Sequence, residues 1–280
     1  MTTNVPKPPD STSAGPIGEA RIREQQDRLL GWYAENRRDL PWRRTTDPYA
    51  ILVSEVMLQQ TQVPRVVPRY HRFLGLFPTL RDLTAAPLGD VLAAWLGLGY
   101  NNRAVRLKRC AETTGDALPS DLDGLLALPG IGPYTARAVL IFAHNADLAA
   151  VDANVRRVLT HELALPPDLD RDSLQAVAER ALPRGHSRDW HNALMDYGSL
   201  VLTSRTTGIP PLTRQTPFQG SPRQRRARLL RLLVEHGPLG ADQAAHLLSL
   251  TEDECRTAAE GLRADGLVEL LGDELRLPSG

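Results

Sequence analysis

The chain has 280 residues, of which 42% are hydrophobic and 24% charged, enough for two or three compact units with a sizeable core. Its 33 basic and 33 acidic side chains give a formal net charge of zero, which argues against a general polyanion-binding protein. The basic residues still cluster, and such clusters are either solvated helix faces or local phosphate-binding patches. They comprise Arg37, Arg38, Arg43 and Arg44; Arg103, Arg106, Lys108 and Arg109; and Arg156 with Arg157.

The start of the chain predicts neither a secretory nor a membrane segment. Residues 1–18 are rich in Pro, Ser and Thr without the apolar core of a signal peptide, and no later stretch has membrane-spanning length. Cys110 and Cys255 provide no disulfide framework, which favours a reducing cytoplasm. We expect a disordered tail at residues 1–20 and no membrane partner.

Helical periodicity dominates the chain from residue 21 onwards. Apolar residues recur at spacings of three and four in segments that Pro, Gly and Asp signals separate. This pattern predicts an all-α body over residues 21–219. The predicted helices cover 21–37, 48–62, 65–75, 88–96, 101–115, 120–128, 134–144, 154–163 and 173–182.

The predicted helix 48–62 carries a carboxylate in apolar surroundings. Asp47 caps this helix, so Glu55 lies in its middle and shares a face with Ile51 and Leu58. We expect poor solvation to raise the pKa of Glu55, so that it holds a proton near neutral pH. The ordinary alternative is a solvated surface glutamate.

The sequence LPGIGPYTAR at residues 128–137 predicts the corner of a helix-hairpin-helix. One helix begins at Ser120 and the next at Tyr134, and the glycines between them allow a tight turn. Backbone N–H groups at the start of a helix bind anions, which makes this corner a candidate phosphate clamp. An αα-hairpin with glycine at its corner for steric reasons alone is the alternative. The candidate backbone contacts are Leu128, Gly130, Ile131 and Gly132.

Asp152 follows an apolar run and precedes the predicted helix 154–163. It is either an ordinary N-cap or a functional carboxylate, and both roles can coexist. Cleavage of a glycosidic bond requires an acid for the leaving group and an anion facing the cation-like sugar. Glu55 and Asp152 are candidates for these two roles.

From Ser221 the pattern changes to an arginine-rich helix and two further helices near 240–248 and 252–265. Residues 267–277 then alternate around a Gly-Asp turn, which predicts a β-hairpin. Three helices and a hairpin predict a small winged-helix domain over residues 220–280. Because the middle of this segment is acidic, at residues 252–254, DNA binding and plain packing are both open for it.

Several separated motifs resemble, in order, those of the helix-hairpin-helix DNA glycosylase superfamily, and most closely the A/G-specific adenine glycosylases of the MutY type. The resemblance runs from about residue 29 to residue 202. It implies a two-lobed helical fold, double-stranded DNA with a mispaired adenine as the partner, and a monomer located at the nucleoid in the cytoplasm. The motifs are LPWR at 40–43, SEVMLQQTQ at 54–62, LGLGY at 96–100, LPGIG at 128–132, VDANVRRV at 151–158 and LMDYG at 194–198.

The resemblance also implies residue roles. Glu55 would protonate the flipped adenine and handle water, and Asp152 would stabilise the oxocarbenium-like sugar. Extrusion of a paired base needs a wedge that fills the vacated space. Tyr134 and Asn154 would flank the carboxylates; Leu40, Trp42, Arg43 and Asp196 would surround the adenine; Gln60, Thr61 and Tyr100 would enter the stack near the partner base. For Trp42 and Tyr100, core packing is the alternative.

The chain departs from this family in its cysteines, in its C-terminal segment and at Asn101 and Asn102 after Tyr100, and a separate inference concerns its lysines. Most relatives carry an iron–sulfur cluster on four cysteines, but residues 203–219 contain none, so we expect no cofactor and no metal. Because residues 220–280 resemble a winged helix, we expect the usual C-terminal reader of oxidised guanine to be absent or replaced. The lysines are Lys7 and Lys108, and Tyr134 fills the position of the Schiff-base lysine of bifunctional relatives, which predicts no lyase activity.

These features predict a monofunctional DNA N-glycosylase of base excision repair that removes adenine mispaired with guanine or 8-oxoguanine by hydrolysis. A T/G or U/G mismatch glycosylase of the same superfamily is the second hypothesis, since it fits Tyr134 and the VDAN sequence equally well. A non-catalytic protein that binds DNA lesions is the third. The two carboxylates argue against the third hypothesis, because each repels phosphate and binding needs neither.

Overall fold

The computed structural model describes residues 18–209 and 217–278, and this part of the chain is mostly helical. The helices are α1 (Glu19–Asn36), α2 (Pro48–Leu58), α3 (Val63–Leu76), α4 (Leu80–Ala85), α5 (Leu88–Trp95), α6 (Asn102–Thr114), α7 (Leu122–Leu126), α8 (Pro133–His144), α9 (Ala153–Glu162), α10 (Arg171–Arg180), α11 (Ser187–Leu200), α12 (Ser204–Thr207), α13 (Pro222–His236), α14 (Ala241–Leu248) and α15 (Glu252–Ala264). A 3-10 turn covers Pro41–Arg43, and the strands are β1 (Leu239–Gly240), β2 (Glu269–Leu271) and β3 (Glu274–Arg276).

The described residues divide into two compact units. The first lies within Met1–Ile51 and Gly132–Arg214, and the second within Leu52–Ile131 and Gln215–Gly280. In the first unit α11 packs against both α1 and α9, so it lies between these two helices in the core. Its core includes Leu29.

The second unit contains α2 from Leu52 onwards, the helices α3 to α7, and then α13, α14, α15 and the sheet. Edge-to-face contact between Phe73 and Trp95, with ring centroids 5.8 Å apart, lies in its core. The strands form an antiparallel sheet in the order β1-β3-β2, with Leu270 opposite Leu275. Helix α13 packs against α15, α14 and also α5. The C-terminal segment therefore shares a unit with the preceding helices.

The all-α body and the C-terminal hairpin agree with the elements predicted from the sequence. The hairpin turns at Gly272 as expected, and β1 adds a short strand that the pattern does not predict. Helix α1 begins at Glu19, inside the range predicted as a disordered tail; residues 1–17 of that tail lie outside the described part of the chain. A winged-helix domain that is separate from the rest stays a prediction.

Helices α4, α11 and α12 are not predicted by the periodicity. Helix α12 has only four residues, too few to show a period. Helix α4 has only six residues, and its sequence signal is the capping box formed by Thr79 and Asp82. Helix α11 buries polar side chains beside apolar ones, including Ser187, His191 and Asp196, so it lacks a clean apolar stripe. Across the described residues no helix is long and apolar enough to cross a membrane.

Candidate active site

Asp152 is the N-cap of α9, and its two carboxylate oxygens have different partners. Oδ1 accepts the Val155 N–H at 2.7 Å, and Oδ2 accepts the side-chain amide of Asn154 at 3.1 Å. Desolvation raises the pKa of Asp152 above its ordinary value, although these hydrogen bonds and the charge of Arg157 oppose the shift. Asp152 is therefore an N-cap, as the sequence suggested, and only Oδ1 serves that role. The other oxygen, Oδ2, is oriented by Asn154.

Asn154 is fixed in turn by the buried guanidinium of Arg157. The Arg157 Nη2 donates to Asn154 Oδ1 at 2.6 Å and to the Gly198 carbonyl, and its Nε donates to the Leu202 carbonyl. A Cβ added to Gly198 would lie 2.8 Å from the Cβ of Asn154, so α9 and α11 approach each other at backbone distance there. The VDANVRRV motif thus carries its own supporting arginine, five residues after the carboxylate.

The peptide that leads into Asp152 is bound to α11 by a neutral histidine. His191 accepts the Ala150 N–H on Nε2 at 3.0 Å, and its Nδ1 lies 2.7 Å from the Ser187 carbonyl and donates to it. Burial lowers the pKa of His191 to about 4, which keeps the ring neutral in this geometry. Sequence reasoning missed His191, because its partners are backbone groups that leave no side-chain pattern.

Of the four predicted pocket residues in the first unit, Asp196 supplies a buried carboxylate and Arg43 binds it. Asp196 is fully buried and accepts two hydrogen bonds from Arg43, at 2.7 and 2.8 Å, and two from Arg38, at 2.6 and 3.0 Å. Desolvation acts to raise its pKa, but Arg43 and Arg38 outweigh that effect and keep the pKa below its ordinary value. Leu40 and Trp42 are buried in and beside the 3-10 turn that carries Arg43. Since the acceptor positions of Asp196 are occupied, its geometry favours positioning Arg43 over direct contact with a ligand.

Asp196→Asn is expected to lower the free energy of unfolding by about 3 kcal/mol, because it leaves two arginines without their shared carboxylate. The lowered pKa means that the contribution of Asp196 is present above its unfolded pKa and is lost as the pH falls through the folded one. The deficit should therefore shrink in acid. Urea unfolding at neutral and acidic pH measures it, with the exposed Asp189→Asn as control; equal stability of Asp196→Asn and the unsubstituted chain at pH 7 would contradict the expectation.

Glu55 lies in a part of α2 that is buried on every side. All residues from 49 to 57 are buried, and Glu55 itself is 7% exposed. The poorly solvated environment predicted from the apolar pattern is confirmed, and the alternative of a solvated surface glutamate is wrong. An acid in such a place is available for proton transfer to a group that reaches it.

The predicted stack-entering residues of the second unit are organised by Arg103. This buried guanidinium donates to the Val56 and Met57 carbonyls near the end of α2. It also donates to the Gln59 carbonyl just after the helix, at 2.6 Å, and to the Gly99 carbonyl at 2.9 Å. Gln60 and Tyr100 both have a left-handed backbone, with φ of 54° and 47°, and both are exposed. Thr61 is buried and accepts from Arg103 at 3.1 Å, so it supports the turn without projecting from it. The left-handed Gln60 also explains why α2 ends at Leu58, short of the predicted residue 62.

Arg103 and Lys108 also correct the interpretation of the basic clusters. Each is 6% exposed, and Lys108 donates to the Thr84 carbonyl at 3.1 Å. Burial lowers the pKa of Arg103 to about 10, so it stays charged at neutral pH. These two side chains are neither a solvated face nor a phosphate patch, because they cap backbone carbonyls inside the unit.

The two positions at the hairpin corner that carry glycine differ in what they require of the side chain. Gly130 has φ of +82°, and a Cβ there would lie 2.7 Å from Arg106, so both conformation and space require glycine. Gly132 has an ordinary φ of −94° with open space around it, which leaves the start of α8 accessible to an anion. Leu128 and Ile131 are buried, and the Ile131 N–H donates to the Leu128 carbonyl at 3.2 Å.

The helices beside this corner differ slightly from the prediction. Asp121 rather than Ser120 caps α7, through the Gly124 N–H at 2.8 Å, and the helix ends at Leu126. Helix α8 starts at Pro133, and Tyr134 is half-buried in its first turn.

The cysteines do not fit an iron–sulfur cluster. Cys110 and Cys255 are buried in α6 and α15, and burial raises the pKa of both thiols. A cluster needs several thiolates, and the chain has two cysteines in all. Among the described residues no group of three His, Cys, Asp or Glu side chains is placed to bind a metal ion.

Comparisons with known proteins agree with this geometry. Residues 53–184 match the HhH-GPD superfamily, described as base excision DNA repair proteins. A protein from Mycolicibacterium smegmatis named Adenine DNA glycosylase is 40% identical over 272 residues, which is 88% of this chain and 92% of the relative. A human protein of the same name is 35% identical over 79% of this chain and 43% of its own length.

Solved structures show a similar fold. A thermostable thymine-DNA glycosylase superposes with a TM-score of 0.63 and 30% identity, covering 68% of this chain and 91% of that one. An endonuclease III in a non-covalent DNA complex gives a TM-score of 0.56 at 21% identity, covering 75% and 94%, and supports the fold alone. The predicted helix-hairpin-helix glycosylase fold is confirmed, and the chain belongs to the adenine DNA glycosylases of the HhH-GPD superfamily of base excision DNA repair proteins.

Proposed function

We propose that this protein binds double-stranded DNA and removes adenine mispaired with guanine or 8-oxoguanine, by hydrolysis of the N-glycosidic bond. The observation that carries the proposal is the carboxylate of Asp152, which caps α9 with one oxygen while Asn154 orients the other. The names of the Mycolicibacterium smegmatis and human relatives support adenine as the base. The Asp152 carboxylate and the names of the relatives both fit hydrolysis of an N-glycosidic bond.

The two carboxylates divide the work by environment. Glu55, buried in α2, supplies a proton to the adenine ring so that the base leaves as a neutral molecule. Asp152, in its ionised form, faces the positive charge that develops on the sugar. The Arg157–Asn154 pair keeps the Asp152 oxygen in place during the reaction. Asp152 belongs to the first unit and Glu55 to the second. The two proposed roles rest on the chemistry of each carboxylate in its own surroundings.

A mismatch glycosylase for thymine or uracil is the second candidate, and the similarity to a thymine-DNA glycosylase structure favours it specifically. A pyrimidine leaves as an anion, which gains less from an acid and more from hydrogen-bond donors at its carbonyls. The buried acid Glu55 therefore favours adenine.

We also propose that the enzyme acts without a cluster and without a covalent imine intermediate. The chain has two cysteines, both buried, where a cluster of this family takes four, which supports a mechanism without a cluster. Residues 203–208 contain α12, which Thr203 caps through the Thr206 N–H, so hydrogen bonds hold these six residues. At the start of α8 stands Tyr134, whose hydroxyl cannot form an imine. Purified protein should contain no stoichiometric iron.

A panel of duplexes with one A·G, A·8-oxoguanine, T·G or U·G mispair tests the proposed function. We expect single-turnover release of adenine from the first two, strand cleavage only after alkali, and no adduct trapped by borohydride. All four reactions should be run at one salt concentration, because phosphate contacts make binding salt-dependent. Faster release of thymine or uracil would assign the chain to the second candidate, and efficient trapping would refute the monofunctional mechanism.

A further inference from the structure

The C-terminal segment reaches a residue that the sequence assigned to the DNA interface. Arg223, in the first turn of α13, lies with its Nη1 3.4 Å from the hydroxyl of Tyr100. Both residues belong to the second unit, in which α13 also packs against α5. The arginine-rich helix is therefore next to the proposed wedge.

Most other arginines of α13 serve the internal packing of this segment. Arg225 pairs with Glu254 at 3.2 Å and Arg226 pairs with Asp265 at 3.5 Å, which ties α13 to α15. Arg228 donates to the Leu248 carbonyl. These three arginines therefore bind Glu254 in α15, Asp265 just after it and the last carbonyl of α14, whereas the first turn of α13 places Arg223 beside Tyr100.

Tyr100 itself is placed for contact with a partner molecule. It is 38% exposed on a left-handed backbone, a conformation that costs energy for a residue with a side chain. Its ring lies 5.6 Å from the guanidinium of Arg103, whose donors are used by backbone carbonyls. From α13, the half-buried Arg223 approaches the hydroxyl of this exposed ring.

We propose that Arg223 binds a phosphate of the DNA strand that Tyr100 enters, which makes the start of α13 part of the DNA interface. A guanidinium has five N–H donors in a fork that matches phosphate oxygens. Phosphate contacts fix the register of a protein on DNA without reading sequence, which suits a residue beside a wedge. The inference rests on the proposed function for its ligand.

Binding measurements on the full chain test this contact. The probe is a duplex with an uncleavable 2′-fluoro-deoxyadenosine opposite guanine or 8-oxoguanine, titrated over a range of salt concentrations. Arg223→Ala should weaken binding roughly tenfold at low salt and reduce the slope of log affinity against log salt by about one. Arg231→Ala, which removes an exposed charge two turns along the same helix, should leave both unchanged.

Two further variants separate charge from packing. Arg223→Lys should keep the salt slope, and Tyr100→Phe should keep it too, because neither removes the cation. An unchanged slope in Arg223→Ala would overturn the proposal, as would a loss that Arg231→Ala shares. A loss that differs between guanine and 8-oxoguanine would overturn it in favour of base recognition. Failure of the proposed function would appear separately, as an absence of adenine release by the unsubstituted chain.

Discussion

Asp152→Asn is expected to lower the single-turnover rate of adenine release by roughly two to four orders of magnitude, because the amide cannot stabilise a positive sugar. The fold should not suffer, since Asn is as good an N-cap as Asp. The raised pKa gives the sign: the folded chain binds this proton more tightly than the unfolded chain, so ionisation of Asp152 costs stability as the pH rises. The unfolding temperature of the variant at pH 7 should equal or exceed that of the unsubstituted chain.

The matched control is Asp170→Asn, which changes the N-cap of α10 in the same unit. Asp170 is exposed and accepts the Asp172 and Ser173 N–H groups, and the hydrogen bonds from Ser173 lower its pKa. Its substitution should leave the rate of base release unchanged. If Asp152→Asn released adenine at the normal rate, Asp152 would be a helix cap and nothing more.

Glu55→Gln is expected to reduce base release by a similar two to four orders of magnitude while mispaired DNA still binds. Glutamine keeps the size and hydrogen bonding of the side chain but cannot donate the proton that lets adenine leave as a neutral base. Single-turnover rates at saturating enzyme, with binding measured on uncleavable duplex, distinguish the two effects.

The exposed Glu260→Gln on α15 serves as the control for loss of a carboxylate in the second unit. Its release rate and affinity should match those of the unsubstituted chain. Normal release by Glu55→Gln would remove Glu55 from the mechanism, whereas loss of both binding and release would point to a structural defect in α2.

The sequence predicts those parts of the site that leave a local pattern. Glu55 is recognisable because an acid interrupts an apolar helix, and Asp152 because an apolar run ends immediately before it. The hairpin at Gly272 follows from alternation around a turn signal in the same way. Each of these features is determined within about ten residues of chain.

The supporting contacts could not be predicted, because their partners are distant backbone groups. Arg103 binds carbonyls at the end of α2, and His191 accepts the Ala150 N–H across a separation of 41 residues. A carbonyl has the same chemistry at every position, so no sequence pattern marks which one a buried arginine will meet. For this reason the sequence does not tell which arginines of a basic cluster face solvent. Burial, and not charge, distinguishes Arg103 from its exposed neighbour Arg106.

The close approach at Gly198 has a consequence for which mutations the protein tolerates. One added methyl group would collide with Asn154, whose amide orients the Asp152 oxygen. Gly198 has no proposed role in the reaction itself. A single methyl group there would still affect the reaction centre, through the hydrogen bond from Asn154 to Asp152. Gly198→Ala should therefore slow adenine release in the single-turnover assay, because the added methyl group displaces Asn154 and with it the partner of the Asp152 oxygen.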